Sequence, residues 1–159
     1  MAEINSQTRP SFDGEVSFES TRKKIFRIDG DDNRVLSLNT SDLGIVSRLR
    51  DAYPKMSELT SKYAERKLDA VDDEESINQF ADILQEMDLD MRGLVDYIFD
   101  SDVSKVCVPD GTMFDMFNGQ FRYEIIIEEI SKLYESNLSV EYRKMKARVN
   151  AKASKYIGK

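Results

Sequence analysis

At 159 residues the chain suits one domain rather than two, and its 40% hydrophobic and 33% charged residues exclude a disordered polymer and fit a soluble, mainly helical domain. The absence of histidine and the single cysteine exclude, within one chain, disulfide frameworks, ordinary structural zinc sites and nucleophile–histidine pairs. The net charge of −7 is uneven: residues 141–159 carry Arg143, Lys144, Lys146, Arg148, Lys152, Lys155 and Lys159 against Glu141 alone, a net of +6, so residues 1–140 hold −13. An acidic body with a basic end points to an acidic partner or to a neighbouring copy of the same chain.

Residues 1–14 are polar and aperiodic and read as a flexible N-terminal arm. The domain proper is expected over 15–137, opening with strand character at Val16 and Phe18. A hairpin follows, in which Phe26 and Ile28 alternate before the turn-rich run Asp29 to Asn33, and Leu36 and Leu38 after it. Asn39, Thr40, Ser41 and Asp42 offer caps for a helix bearing Leu43, Val46, Leu49 and Tyr53. Pro54 is expected to interrupt that helix before a second run through Met56, Leu59, Tyr63 and Leu68.

Two long amphipathic helices are then predicted. Ile77, Phe80, Ala81, Leu84, Met87, Met91, Leu94, Val95 and Ile98 recur at steps of three and four, after acidic residues Asp72 to Glu75 that suit a helix start. Phe114, Phe117, Phe121, Ile125, Ile126, Ile130, Leu133 and Tyr134 form the second stripe, beginning beyond Pro109-Asp110-Gly111. Val103 to Val108, between them, fits a helical turn or an extended segment equally. Residues 138–159 read as a basic C-terminal helix or tail, capped at Ser139 and carrying Val140, Met145, Val149 and Tyr156.

Ion-binding and catalytic readings fail on spacing. A calcium loop from Asp29 has Asp31 and Asn33, but Arg34 replaces the glycine and Thr40 the bidentate glutamate; one from Asp88 has Asp90 and Gly93, but Arg92 and Phe99 occupy ligand positions. Asp88 and Asp90 then read as the solvated side of a helix. The pairs Glu74–Glu75 and Glu128–Glu129 do not converge on a cleft, no phosphate-binding glycine loop is present, and Cys107 between Val106 and Val108 reads as a small apolar side chain. No enzyme activity, metal or cofactor is expected. The basic end lacks a nucleic-acid-reading motif and the acidic body opposes such binding. No run approaches membrane-spanning length and no secretory signal opens the sequence, so a cytoplasm is the expected compartment.

The order of elements and the residues that fill them resemble the tail assembly chaperones of long-tailed bacteriophages, above all those of Gram-positive hosts. Ile28-Asp29-Gly30 with Val35-Leu36-Ser37-Leu38 is similar to their opening hairpin, and Ser47-Arg48-Leu49-Arg50-Asp51-Ala52-Tyr53 to the helix after it. The stronger likeness runs through Met91-Arg92-Gly93-Leu94-Val95-Asp96-Tyr97-Ile98-Phe99, Val106, and Met113 to Tyr134. One departure is Asp100-Ser101-Asp102, where the family has a glycine-bearing turn. The resemblance implies a non-enzymatic factor in the host cytoplasm that shields the tape-measure protein and recruits tail-tube subunits. Met91, Phe114, Phe117 and Phe121 are then candidate client contacts, although apolar stripes usually face inward, into a core. Arg143, Lys144, Lys146 and Arg148 are candidates for electrostatic docking. Two other readings use the same surfaces, a structural component of the virion (connector or minor tail protein) and a small nucleic-acid-binding regulator. Homo-oligomerisation is compatible with each.

Overall fold

A computed structural model describes residues 10–19, 23–69, 73–135, 138, 140 and 142–148, with the side chains of 68 and 69 excepted. The fold is mainly helical with a small N-terminal antiparallel hairpin, as expected. Strand β1 is Lys24–Ile28 and β2 is Asp31–Leu38, with Phe26 opposite Leu36 and Lys24 opposite Leu38. The turn is Asp29-Gly30 alone, both at positive φ, which lets two residues reverse the chain in the sense of the strand twist. Leu36 and Leu38 are fully buried and Phe26 and Ile28 partly so, fixing the inward face. Val16 and Phe18 form no strand and are exposed; nothing in the described chain pairs with their backbone as a ladder.

Helix α1 (Gly44–Asp69) runs unbroken through Pro54, against the expected interruption. The proline cannot donate to the Arg50 carbonyl, yet both residues are exposed, so that the lost bond falls on the solvent side of the helix and not in the core. Ala52, Tyr53 and Met56, buried on either side of it, hold the two halves in line. Of the candidate caps, Asp42 accepts from the Gly44 amide at 2.8 Å. Helix α2 (Glu74–Phe99) starts where Asp73 accepts from the Ser76 amide at 2.8 Å, with Glu74 and Glu75 in its first turn. The two helices form an antiparallel pair: Tyr63 meets Phe80 near their connection, and the Arg48 Nε donates to the Ile98 carbonyl at the other end.

The break after α2 is closed by Asp100 in the left-handed region (φ 48, ψ 49), with the Ser101 amide reaching back to the Asp96 carbonyl. The segment whose type the sequence left open is a short helix, α3 (Val103–Cys107), started by Asp96, whose carboxylate accepts from the Ser104 amide at 2.7 Å and from its hydroxyl at 2.9 Å. The second long helix is not one. Phe114 lies in a turn, Phe117 and Phe121 in a tiny hairpin of β3 (Met116–Phe117) and β4 (Gln120–Phe121), and helix α4 spans only Arg122–Ser131. Asn118 and Gly119 both take positive φ, so an Asn-Gly turn prevails over a helical spacing of phenylalanines.

Three arginines hold these pieces by capping carbonyl groups at chain breaks. Arg34 donates to the carbonyls of Val106 (2.9 Å) and Cys107 (3.0 Å), Arg48 to Ile98, and Arg92 to Ser104 (3.3 Å), Val108 (3.0 Å) and Gly111 (2.9 Å). Asp88 orients Arg92 at 2.9 Å and accepts the Met113 amide at 2.7 Å. It is therefore a mostly buried organiser of the connector, not the solvated acid its helical position suggested. One core joins the hairpin, α1, the C-terminal half of α2, α3 and α4. Leu138 and Tyr142 enter it as well, with the Tyr142 ring edge-on to Tyr53 at 5.7 Å. Residues 142–148 are helical; Ser139, Val149 and Tyr156 lie outside the described residues.

Candidate protein-binding surface

Of the apolar residues expected to meet a client, Met91 is fully buried and Phe114 is 2% exposed, so neither reaches the surface of this structure. Phe114 stacks on Tyr63 at 4.9 Å and meets Phe121 edge-on at 6.0 Å, while Phe121 stacks on Tyr123 at 5.8 Å. These rings are consumed in joining α1 to the small hairpin. Tyr123 is further fixed through its hydroxyl, 2.8 Å from Thr60 Oγ1. Because Thr60 already donates to the Met56 carbonyl, Tyr123 must be the donor in that contact. Phe117 is different: the turn projects it outward, 45% exposed, beneath the Arg122 guanidinium at 5.0 Å and beside the half-exposed Met116.

The basic residues divide too. Lys146 is committed to its own chain, paired with Glu124 and lying 3.9 Å from Glu128, which ties the C-terminal helical residues to α4. Arg143, Lys144 and Arg148 lie on the exposed side of the same segment.

A surface that the motifs did not announce lies between α1 and α2. Lys55, Glu58, Leu59 and Lys62 of α1 and Asp90 and Leu94 of α2 line an open groove of about 440 Å³. It exists because Leu59 and Leu94 sit at the edges of their stripes, where the core covers them only in part. Its floor is apolar and its rim mixes two lysines with two acids, the pattern that receives one face of an amphipathic helix. Both leucines were legible as stripe residues. Their convergence depends on how the helices pair, which periodicity does not encode.

Shifted ionisations lie away from this groove and have structural causes. The Arg48 guanidinium, at 2.6 Å, outweighs partial burial and holds the Asp42 carboxyl below its usual value. Burial pushes the Cys107 thiol up to about 11, with nearby Arg34 only partly opposing it, so the thiol is protonated at neutral pH. Burial likewise raises Tyr53 and Tyr134 to about 12, and Tyr123 and Tyr142 further still. Among the described residues no cluster of three or more His, Cys, Asp or Glu is arranged to hold a metal ion, and no helix is long and apolar enough to cross a membrane. The sequence matches no protein-family model, no curated protein and no solved structure.

Proposed function

We propose that the protein is a phage tail assembly chaperone, a non-enzymatic factor that shields the apolar helices of a tape-measure protein in the host cytoplasm and recruits tail-tube subunits. The observation that carries this reading is the open groove with a leucine floor and a charged rim. A client helix laid along it would bury Leu59 and Leu94 against its own apolar face, while Lys55, Lys62, Glu58 and Asp90 set its register and permit release. Phe117 and Met116 offer a second small apolar contact, and Arg143, Lys144 and Arg148 a cationic one for an acidic tube subunit.

Co-purification with a tape-measure fragment tests the reading. Capture at low salt and absence of the protein from finished particles are expected. No interaction, with both proteins folded and soluble, removes the proposal; fixed stoichiometry in purified particles would instead favour a structural virion component.

A further inference from the structure

The side of α2 turned away from the core carries an unusual combination of residues. Taking Met91 as the centre of the buried face, Asp82, Glu86, Leu89, Gly93 and Tyr97 fall on the opposite side at 100° per residue, and all five are exposed. Leu89 is 63% and Tyr97 47% exposed, four residues to either side of a glycine. A Cβ built on Gly93 would meet nothing within 4 Å, so the chain's own packing does not require glycine there. Glycine inside a helix costs about 1 kcal/mol relative to alanine. What it supplies is a bare backbone strip between two apolar side chains, open to close approach by another element.

Acidic side chains outnumber basic ones around this strip. Helix α2 holds seven acids (Glu74, Glu75, Asp82, Glu86, Asp88, Asp90 and Asp96) against Arg92, which is turned inward onto Asp88 and the connector carbonyls. At its C-terminal end Tyr97 and Gly93 open onto a depression of about 520 Å³ that Asp96, Asp100 and Asp102 also line, with Lys23 as its one cation among the lining residues. The chain's own sequence contains the complement. Residues 149–159 bear Val149, Ala153, Tyr156 and Ile157 at steps of three and four, interleaved with Lys152, Lys155 and Lys159 and free of acids. They follow a segment that leaves from the core side, where Tyr142 is buried and Lys146 grips α4. That is the side of α2 opposite to the strip, whereas a neighbouring copy can approach the strip from solvent.

We propose that the outer face of α2, centred on Gly93, docks the basic C-terminal segment of a second copy of this chain. The strip offers Leu89 and Tyr97, on either side of the bare Gly93 backbone, to the apolar side chains of that segment, and Asp82, Glu86, Asp100 and Asp102 to its lysines. The contact is heterologous, tail on face, so it closes by reciprocal exchange in a dimer or propagates into a larger assembly. It stands apart from the α1–α2 groove and does not depend on the identity of the client.

Sedimentation velocity on the full chain tests it, in about 50 mM and about 500 mM salt. The expected result is a mass above the monomer at low salt, with association weakened about tenfold or more by the added salt. Two full-length charge variants, Asp82→Lys with Glu86→Lys and Lys152→Glu with Lys155→Glu, should each be monomeric where the wild type associates. Combining all four changes in one chain should restore the larger mass. Gly93→Gln, which favours the helix and therefore cannot act by unfolding it, should weaken association while leaving the melting temperature unchanged or higher. A wild-type chain that is monomeric at every concentration and salt overturns the proposal, including the case in which the segment folds onto its own α2. So does association that neither charge variant nor Gly93→Gln disturbs, which would locate the contact elsewhere.

Discussion

Replacing Arg92 by methionine removes the group that joins α2 to the connector while keeping an apolar stem of similar length. The guanidinium makes one bond to Asp88 and one each to the carbonyls of Ser104, Val108 and Gly111, and the Arg92 and Asp88 side chains are only 18% and 13% exposed. Removing one partner of a buried ion pair costs about 3–5 kcal/mol, because the other charge is left without compensation. The residual exposure, and the Met113 amide that Asp88 retains, place the loss at the low end, about 3 kcal/mol. For a chain of this size that corresponds to a fall of about 6–12 °C in Tm. Arg92→Lys keeps the charge but loses the planar fork, and should cost about 1–2 kcal/mol. Urea unfolding followed by far-ultraviolet circular dichroism measures both, with the m-value expected to stay constant. A loss below about 0.5 kcal/mol for Arg92→Met, or wild-type stability for Arg92→Lys, would refute the view that this side chain organises the connector.

Further outcomes follow from individual environments. Asp100→Gly should stabilise the fold by about 1 kcal/mol in the same urea assay, because Asp100 holds a left-handed conformation that glycine adopts without a Cβ penalty. Tyr142→Phe should be neutral or stabilising by about 1 kcal/mol, since its hydroxyl is buried and has no hydrogen-bond partner among the described residues. In an alkaline titration, Tyr53 and Tyr134 ionise at about 12 in the folded chain and at about 10 once unfolded. Their contribution to stability is thus intact below pH 10 and lost as pH rises through about 12, so tyrosinate absorbance should rise in two phases, the second coinciding with unfolding. Cys107 should react with a thiol reagent far more slowly than a free thiol at pH 8, and at the free rate once the chain is unfolded.

The hairpin and α2 were legible because several local signals agreed there: alternation at Phe26, Ile28, Leu36 and Leu38, and an acidic start followed by a sustained stripe from Phe80 to Ile98. Where local signals competed, the spacing of apolar residues misled. Phe114, Phe117 and Phe121 fit a helix face, but Asn118-Gly119 is a hairpin signal in its own right and was the better guide. Pro54 shows the opposite balance, a breaker overridden because burial of Ala52, Tyr53 and Met56 outweighs one missing bond. The structural duty of Arg92 and Asp88 was not readable, since it depends on carbonyls twelve to nineteen residues from Arg92 and on an amide twenty-five residues from Asp88. The groove was half readable: its leucines lie in the stripes, and its rim charges are indistinguishable in sequence from any solvated helix face.

Titration calorimetry with a soluble helical fragment of a tape-measure protein tests the proposed client site in the α1–α2 groove most directly. At low salt the wild-type chain should bind, and the rim variant Lys55→Glu with Lys62→Glu, which alters only exposed side chains, should bind about tenfold more weakly with unchanged Tm. Equal affinity in the two proteins, or no binding by the wild type, would contradict it.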